Sequence, residues 1–169
     1  MMNTPRSLYF ILNTMIFLVA LSIVIGIAIA FLSTSGVVPI NFNGKEITID
    51  ELTAGHYTFM GLNVIVYFVF TYGLYRLSQT AKLVMNNNIY NQELSRNCDL
   101  AGKSFVLSGT FWWFFDGFSS FVLEQVISIG VSEKTFIYLF IIAIGMFLML
   151  TSKLFHNANE LKRDNELTI

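Results

Sequence analysis

"GTFWWFFDGFSSFVLEQ", Gly109 to Gln125, sets an aspartate and a glutamate into an aromatic run otherwise suited to lipid. The reading of Asp116 and Glu124 depends on whether this run crosses a bilayer. Composition decides it: of 169 residues, 54% are hydrophobic and 12% charged, with a mean hydropathy of +0.62, too apolar for an ordinary soluble domain. The expected class is an all-α integral membrane protein.

A hydrocarbon core about 30 Å thick takes about 20 apolar residues in a helix. Four stretches meet or approach that length: Leu8 to Leu32, Thr58 to Leu74, Phe105 to Ile129 and Phe136 to Leu154. Arg76 lengthens the second by snorkelling to the interface. The expected organisation is one four-helix transmembrane domain with spans at about 8–32, 58–76, 104–129 and 136–155. An outer loop occupies 33–57, a cytoplasmic helical hairpin 77–103 and a cytoplasmic tail 156–169. Ala28-Ile29-Ala30 has the small-x-small form that signal peptidase reads, but the apolar run before it exceeds a signal peptide's about 7–15 residues. Only Arg6 precedes that run, so the first span reads as a retained helix.

Lysine and arginine orient the chain. Arg6 precedes the first span; Arg76, Lys82, Arg96 and Lys103 lie between the second and third; Lys153, Lys162 and Arg163 follow the fourth. Only Lys45 and Lys134 fall in the other two loops. The positive-inside bias therefore predicts cytoplasmic termini and a cytoplasmic middle loop. Cys98 is expected inside, out of reach of an impermeant maleimide.

Within the outer loop, "VPINFNGKEITIDEL" carries Asn43-Gly44, suited to a type I′ turn, between Ile40, Phe42, Ile47 and Ile49. A short β-hairpin is expected, resting on the outer helix ends or the headgroups, with Asp50 capping a helix that starts at Glu51. In the middle loop, the run Asn86-Asn87-Asn88 ends the second helix and Asn91 caps the next. The result is a helical hairpin projecting inward.

Asp116 falls near the middle of the third span, and Glu124 nearer its outer end. At 100° per residue, Gly102, Gly109 and Asp116 form a heptad stripe, with Trp113, Gly117, Ser120 and Glu124 beside it. Small and polar residues on one face mark a helix-packing surface. Asn63 should lie at the depth of Glu124, and Tyr67 and Thr71 near that of Asp116. Because no cation lies within any span, Asp116 is expected to be protonated, its pKa raised by desolvation, and to donate a hydrogen bond. Glu124 is expected to reach His56 or Lys134. A proton or cation pathway through these acids is the alternative, although no Pro-broken helix pair or internal repeat accompanies them.

Other chemistry finds little material. A net charge of −1 gives no basic field for direct nucleic-acid binding, and the single cysteine excludes an internal disulfide. His56 and His156 fall on opposite sides of the membrane, so they cannot share a metal. No phosphate-binding glycine loop or HExxH motif occurs, and no helically spaced base activates Ser119 or Ser120. No enzyme activity and no cofactor are expected. The run Phe111 to Phe115 reads as lipid-facing. Gly26 and Ala30 offer a small-xxx-small pair, which leaves homo-oligomerisation open.

The tail "LFHNANELKRDNELTI" carries Phe155, Ala158 and Leu161 on one helix face and closes in Asp-Asn-Glu-Leu-Thr-Ile. That ending resembles the closing motif of the bacterial membrane proteins grouped as domain of unknown function 2975. "NNNIYNQELSRNCDLAGKSFVLSG" is similar to the family's turn into its third span, with Asn91, Leu94 and Gly102 at matching places. The middle loop departs from the family pattern in having few basic residues, as does the third span in carrying Asp116. The resemblance implies a four-span protein of the bacterial cytoplasmic membrane with no established activity. Its members are often encoded beside a small helix-turn-helix regulator, which implies a membrane partner for a transcription factor.

Both matching segments are cytoplasmic, so hairpin and tail form a candidate docking face: Asn91, Glu93, Arg96, Glu160, Arg163, Asp164, Glu166, Leu167 and Ile169. The competing expectation is that the tail folds back, pairing its acids with Arg96 or Lys103. Two functions are carried forward. One is a sensor or anchor for the regulator, with membrane lipids as its surroundings. The other is a small transporter or immunity-type protein using Asp116, Glu124, Asn63 and Ser120.

Overall fold

The computed structural model describes residues 4–34, 40–42, 45–47, 54–86, 92–124 and 133–167; for 30–34, the strands, 119–124 and 165–167 only the backbone is described. The elements are α1 (Thr4–Thr34), β1 (Ile40–Phe42), β2 (Lys45–Ile47), α2 (Ala54–Met85), α3 (Gln92–Glu124) and α4 (Glu133–Leu167). α1, α2 and α4 extend beyond their apolar stretches at both ends, and α3 begins thirteen residues before its own. Local chemistry sets several ends. Glu93 and Glu133 stand in the first turns of α3 and α4, where acids suit the positive end of the helix dipole. At the other end of α2, Lys82 lies in the last turn and its carbonyl accepts from the amide of Asn86 at 3.1 Å, as the asparagine run begins. Asn91 and Asp50, the expected caps, and the Asn43-Gly44 turn lie outside the described residues.

Helices pack in chain order, α1 on α2, α2 on α3 and α3 on α4. The α3–α4 contact is an antiparallel heptad seam. Ser95, Gly102 and Gly109 of α3 face Ser152, Gly145 and Tyr138 of α4, so both helices repeat every seven residues. The seam is tight because the glycines lack side chains: a Cβ on Gly102 would stand 2.6 Å from the Gly145 carbonyl oxygen. At its end Ser95 Oγ donates to the Ser152 carbonyl at 2.9 Å, and Ser152 Oγ returns a bond to the Ser95 carbonyl at 2.8 Å. Elsewhere Leu12, Leu74, Ala81 and Phe105 form a buried cluster, with Ile141 and Leu148 packed against it, so all four helices meet around Phe105. Asn13 of α1 accepts a 2.9 Å bond from Ser78 of α2.

The body is all-helical, and the β segment is only a three-pair antiparallel ladder, Ile40 with Ile47, Asn41 with Glu46 and Phe42 with Lys45. The fold class expected from sequence needs correction in its spans: among the described residues three helices rather than four are long and apolar enough to cross a membrane, α1, α2 and α4. The exception is α3, which opens with Glu93, Arg96, Asp99 and Lys103. The seam puts this polar half beside the apolar stretch of α4, and much of it is covered by protein: Leu94, Asn97, Cys98 and Ala101 are all buried. On the apolar helices, exposed Thr14, Thr71 and Thr151 donate to carbonyls four residues back at 2.7–2.9 Å. A polar group is thereby satisfied without water.

Candidate functional site

A cleft of about 770 Å³ opens between α2, α3 and α4 at the end where α3 begins. Arg76 comes from α2, Gln92 to Asp99 supply one wall, and Ser152 and His156 come from α4. Arg76 is held in place: its Nε donates to the Tyr72 hydroxyl at 2.9 Å, its Nη1 to Asn97 Oδ1 at 3.3 Å, and its guanidinium lies 5.0 Å from the Tyr72 ring centre. Asn97 is 1% exposed, so its amide is a fixed acceptor. Of the two acids in the wall, Glu93 and Asp99, Asp99 pairs with Lys103 at 2.6 Å, and His156 Nε2 stands 3.4 Å from Glu160. Among the described residues, neither Arg76 nor Arg96 has a carboxylate within ion-pair distance. No metal-holding group of His, Cys, Asp or Glu is found among them either.

The expected docking residues separate into groups. Glu93 and Arg96 line the cleft, whereas Glu160, Arg163 and Asp164 stand on the exposed surface of α4. Glu166 and Leu167 belong to α4 by backbone, and Asn91 and Ile169 lie outside the described residues. The expectation that the tail folds back onto the hairpin is corrected through residue 167, because α4 runs unbroken to Leu167 and Lys103 pairs with Asp99.

The intramembrane acid also needs correction. Asp116 has a cation close by, Lys134 Nζ at 3.6 Å. The seam explains this: α3 and α4 run antiparallel in heptad register, so Asp116, one heptad beyond Gly109, is level with the first turn of α4 rather than with its middle. Gly117, expected in the packing face, has nothing within 4 Å of its Cβ position, and Trp113 is half exposed. Asn63 bonds back to the Phe59 carbonyl at 3.0 Å, and Tyr67 sets its ring edge to Trp112 with centroids 5.1 Å apart. The side chains of Ser120 and Glu124 lie outside the description. Within the aromatic run, Phe111, Trp113 and Phe114 are exposed as expected, but Trp112 turns inward among Tyr67, Phe70 and Tyr138.

Sequence reasoning missed Arg76, Asn97, Ser95 and Ser152 as cleft residues. One signal was available, since extending the Gly102-Gly109-Asp116 stripe back one heptad reaches Ser95. Cys98, expected to serve as a topology label, is 2% exposed, and burial pushes its thiol up, partly offset by a bond to Thr80. Thiolate is the reactive form, so native Cys98 should resist maleimide at neutral pH from either side and label fully only after unfolding. Rapid labelling of the folded protein would show that the α2–α3 contact is open.

No curated protein and no solved structure matches this chain. Residues 41–169, which take in β2, the helices α2 to α4 and all but the first residue of β1, match the family model described as protein of unknown function (DUF2975), and the chain belongs to that family.

Proposed function

We propose that the chain is a non-enzymatic protein of the cytoplasmic membrane that holds a cytosolic regulator of the helix-turn-helix kind on the projecting end of α4. Three helices apolar enough to span support the membrane setting, and α3, packed antiparallel along α4, is taken to cross beside it, giving the even number of crossings that two cytoplasmic termini require. The lysine and arginine distribution supports cytoplasmic termini and a cytoplasmic turn between α2 and α3.

One observation carries the docking reading. Beyond its apolar stretch α4 continues as a helix to Leu167 with Leu154, Ala158 and Leu161 all exposed, at i, i+4 and i+7. Leu161 is 66% exposed and is flanked by Glu160, Lys162, Arg163 and Asp164. An apolar stripe edged by charges is what a partner helix engages. The transporter reading gains no comparable support, since Asp116 lies beside Lys134 in the first turn of α4.

Mild-detergent purification from the native host tests the proposal, comparing the full chain with one truncated after His156. A small DNA-binding protein should accompany the full chain and be lost from the truncated form. Equal recovery with both forms would place the contact elsewhere.

A further inference from the structure

We propose that the cleft between α2, α3 and α4 binds the phosphate of an anionic phospholipid. This rests on membrane insertion and not on docking at α4, so either can fail alone.

The first argument is charge. Arg76 and Arg96 line the cleft with no carboxylate within ion-pair distance among the described residues, and of the two acids in the same wall, Glu93 and Asp99, Asp99 is engaged by Lys103. Arg76 spends two of its five N–H donors on Tyr72 and Asn97, and those bonds fix the plane of the guanidinium. A pre-set guanidinium suits the paired oxygens of a phosphate diester. The opening turn of α3, also in the wall, adds the positive end of a helix.

The second argument is position. On α2, Tyr72 and Tyr75 are exposed within one turn of Arg76. On α4, Leu150 and Leu154 are exposed either side of Ser152, and His156 follows half a turn later. Apolar, aromatic and then charged residues in that order mark the level where acyl chains give way to headgroups. A phosphate in the cleft would leave its acyl chains to run along Leu150 and Phe147, which is likewise exposed. Basic pockets between membrane helices take anionic headgroups by this combination of charge and depth.

The test uses the full chain in mild detergent and native mass spectrometry, with phosphatidylglycerol, phosphatidylcholine and inorganic phosphate as separate probes. Phosphatidylglycerol should be retained at least about tenfold more strongly than phosphatidylcholine. Each of Arg76→Gln and Arg96→Gln should weaken that retention about tenfold, as expected for losing a hydrogen bond to a charged group. Arg163→Gln, outside the cleft, should leave it unchanged. Because Arg96 is exposed, Arg96→Gln keeps the test decisive if Arg76→Gln does not fold. Equal retention of the two lipids, or no effect of Arg96→Gln, would overturn the proposal. Binding of inorganic phosphate as tightly as the lipid would overturn it in favour of a soluble phosphate ligand.

Discussion

Gly145→Val should separate α3 from α4 and cost about 3 kcal/mol, the upper end of the usual overpacking range. A Cβ at position 145 would stand 2.7 Å from the Gly102 carbonyl oxygen and 2.8 Å from the Val106 amide nitrogen. Both are backbone atoms, so no rotamer change relieves the clash, and one helix must move. Movement there also strains the Ser95–Ser152 bonds one heptad away, where donor and acceptor stand 2.8–2.9 Å apart. Gly117→Ala is the control: nothing lies within 4 Å of its Cβ position, and alanine is the better helix former, so stability should hold or rise by up to about 1 kcal/mol. Unfolding of the two variants in detergent checks both signs. A Gly145→Val protein as stable as the parent would mean that the helices do not meet at this glycine pair.

Phe105→Ala should be comparably damaging for the opposite reason, by emptying space. Phe105 is 5% exposed, lies against Phe70 with ring centroids 5.3 Å apart, and fills the room left by Gly73. Its cluster draws on all four helices, so the vacated volume cannot close by moving one of them. Cavity formation of this kind costs about 3 kcal/mol. Phe114, 66% exposed on the same helix, should tolerate alanine within about 0.5 kcal/mol. Equal losses at the two positions would contradict the placement of the core around Phe105.

Helices α1, α2 and α4 were legible because apolar stretches of spanning length survive any uncertainty about packing. The glycine stripe was legible too, since Gly102 and Gly109 fix a helix face by spacing alone. What surrounds that stripe was harder. Hydropathy reads Glu93, Arg96 and Asp99 as simply outside the membrane, yet the same turns bury Leu94, Asn97 and Cys98 against neighbouring helices. The partner of Asp116 depends on how far α4 slides along α3, a register set by the Ser95–Ser152 and Gly102–Gly145 contacts, which no local pattern reveals. The cleft gathers Arg76, the start of α3 and His156 from three separate helices, so it exists only once the bundle is assembled.

The central claim is that the projecting end of α4 faces the cytosol and holds a regulator there. A photocrosslinking amino acid placed at Arg163, with a second chain carrying it at Lys134, tests this in living cells. The account predicts a crosslink to a small DNA-binding protein from position 163 and none from position 134. A crosslink to that protein from position 134, or its absence from position 163 in cells that contain it, would contradict the account.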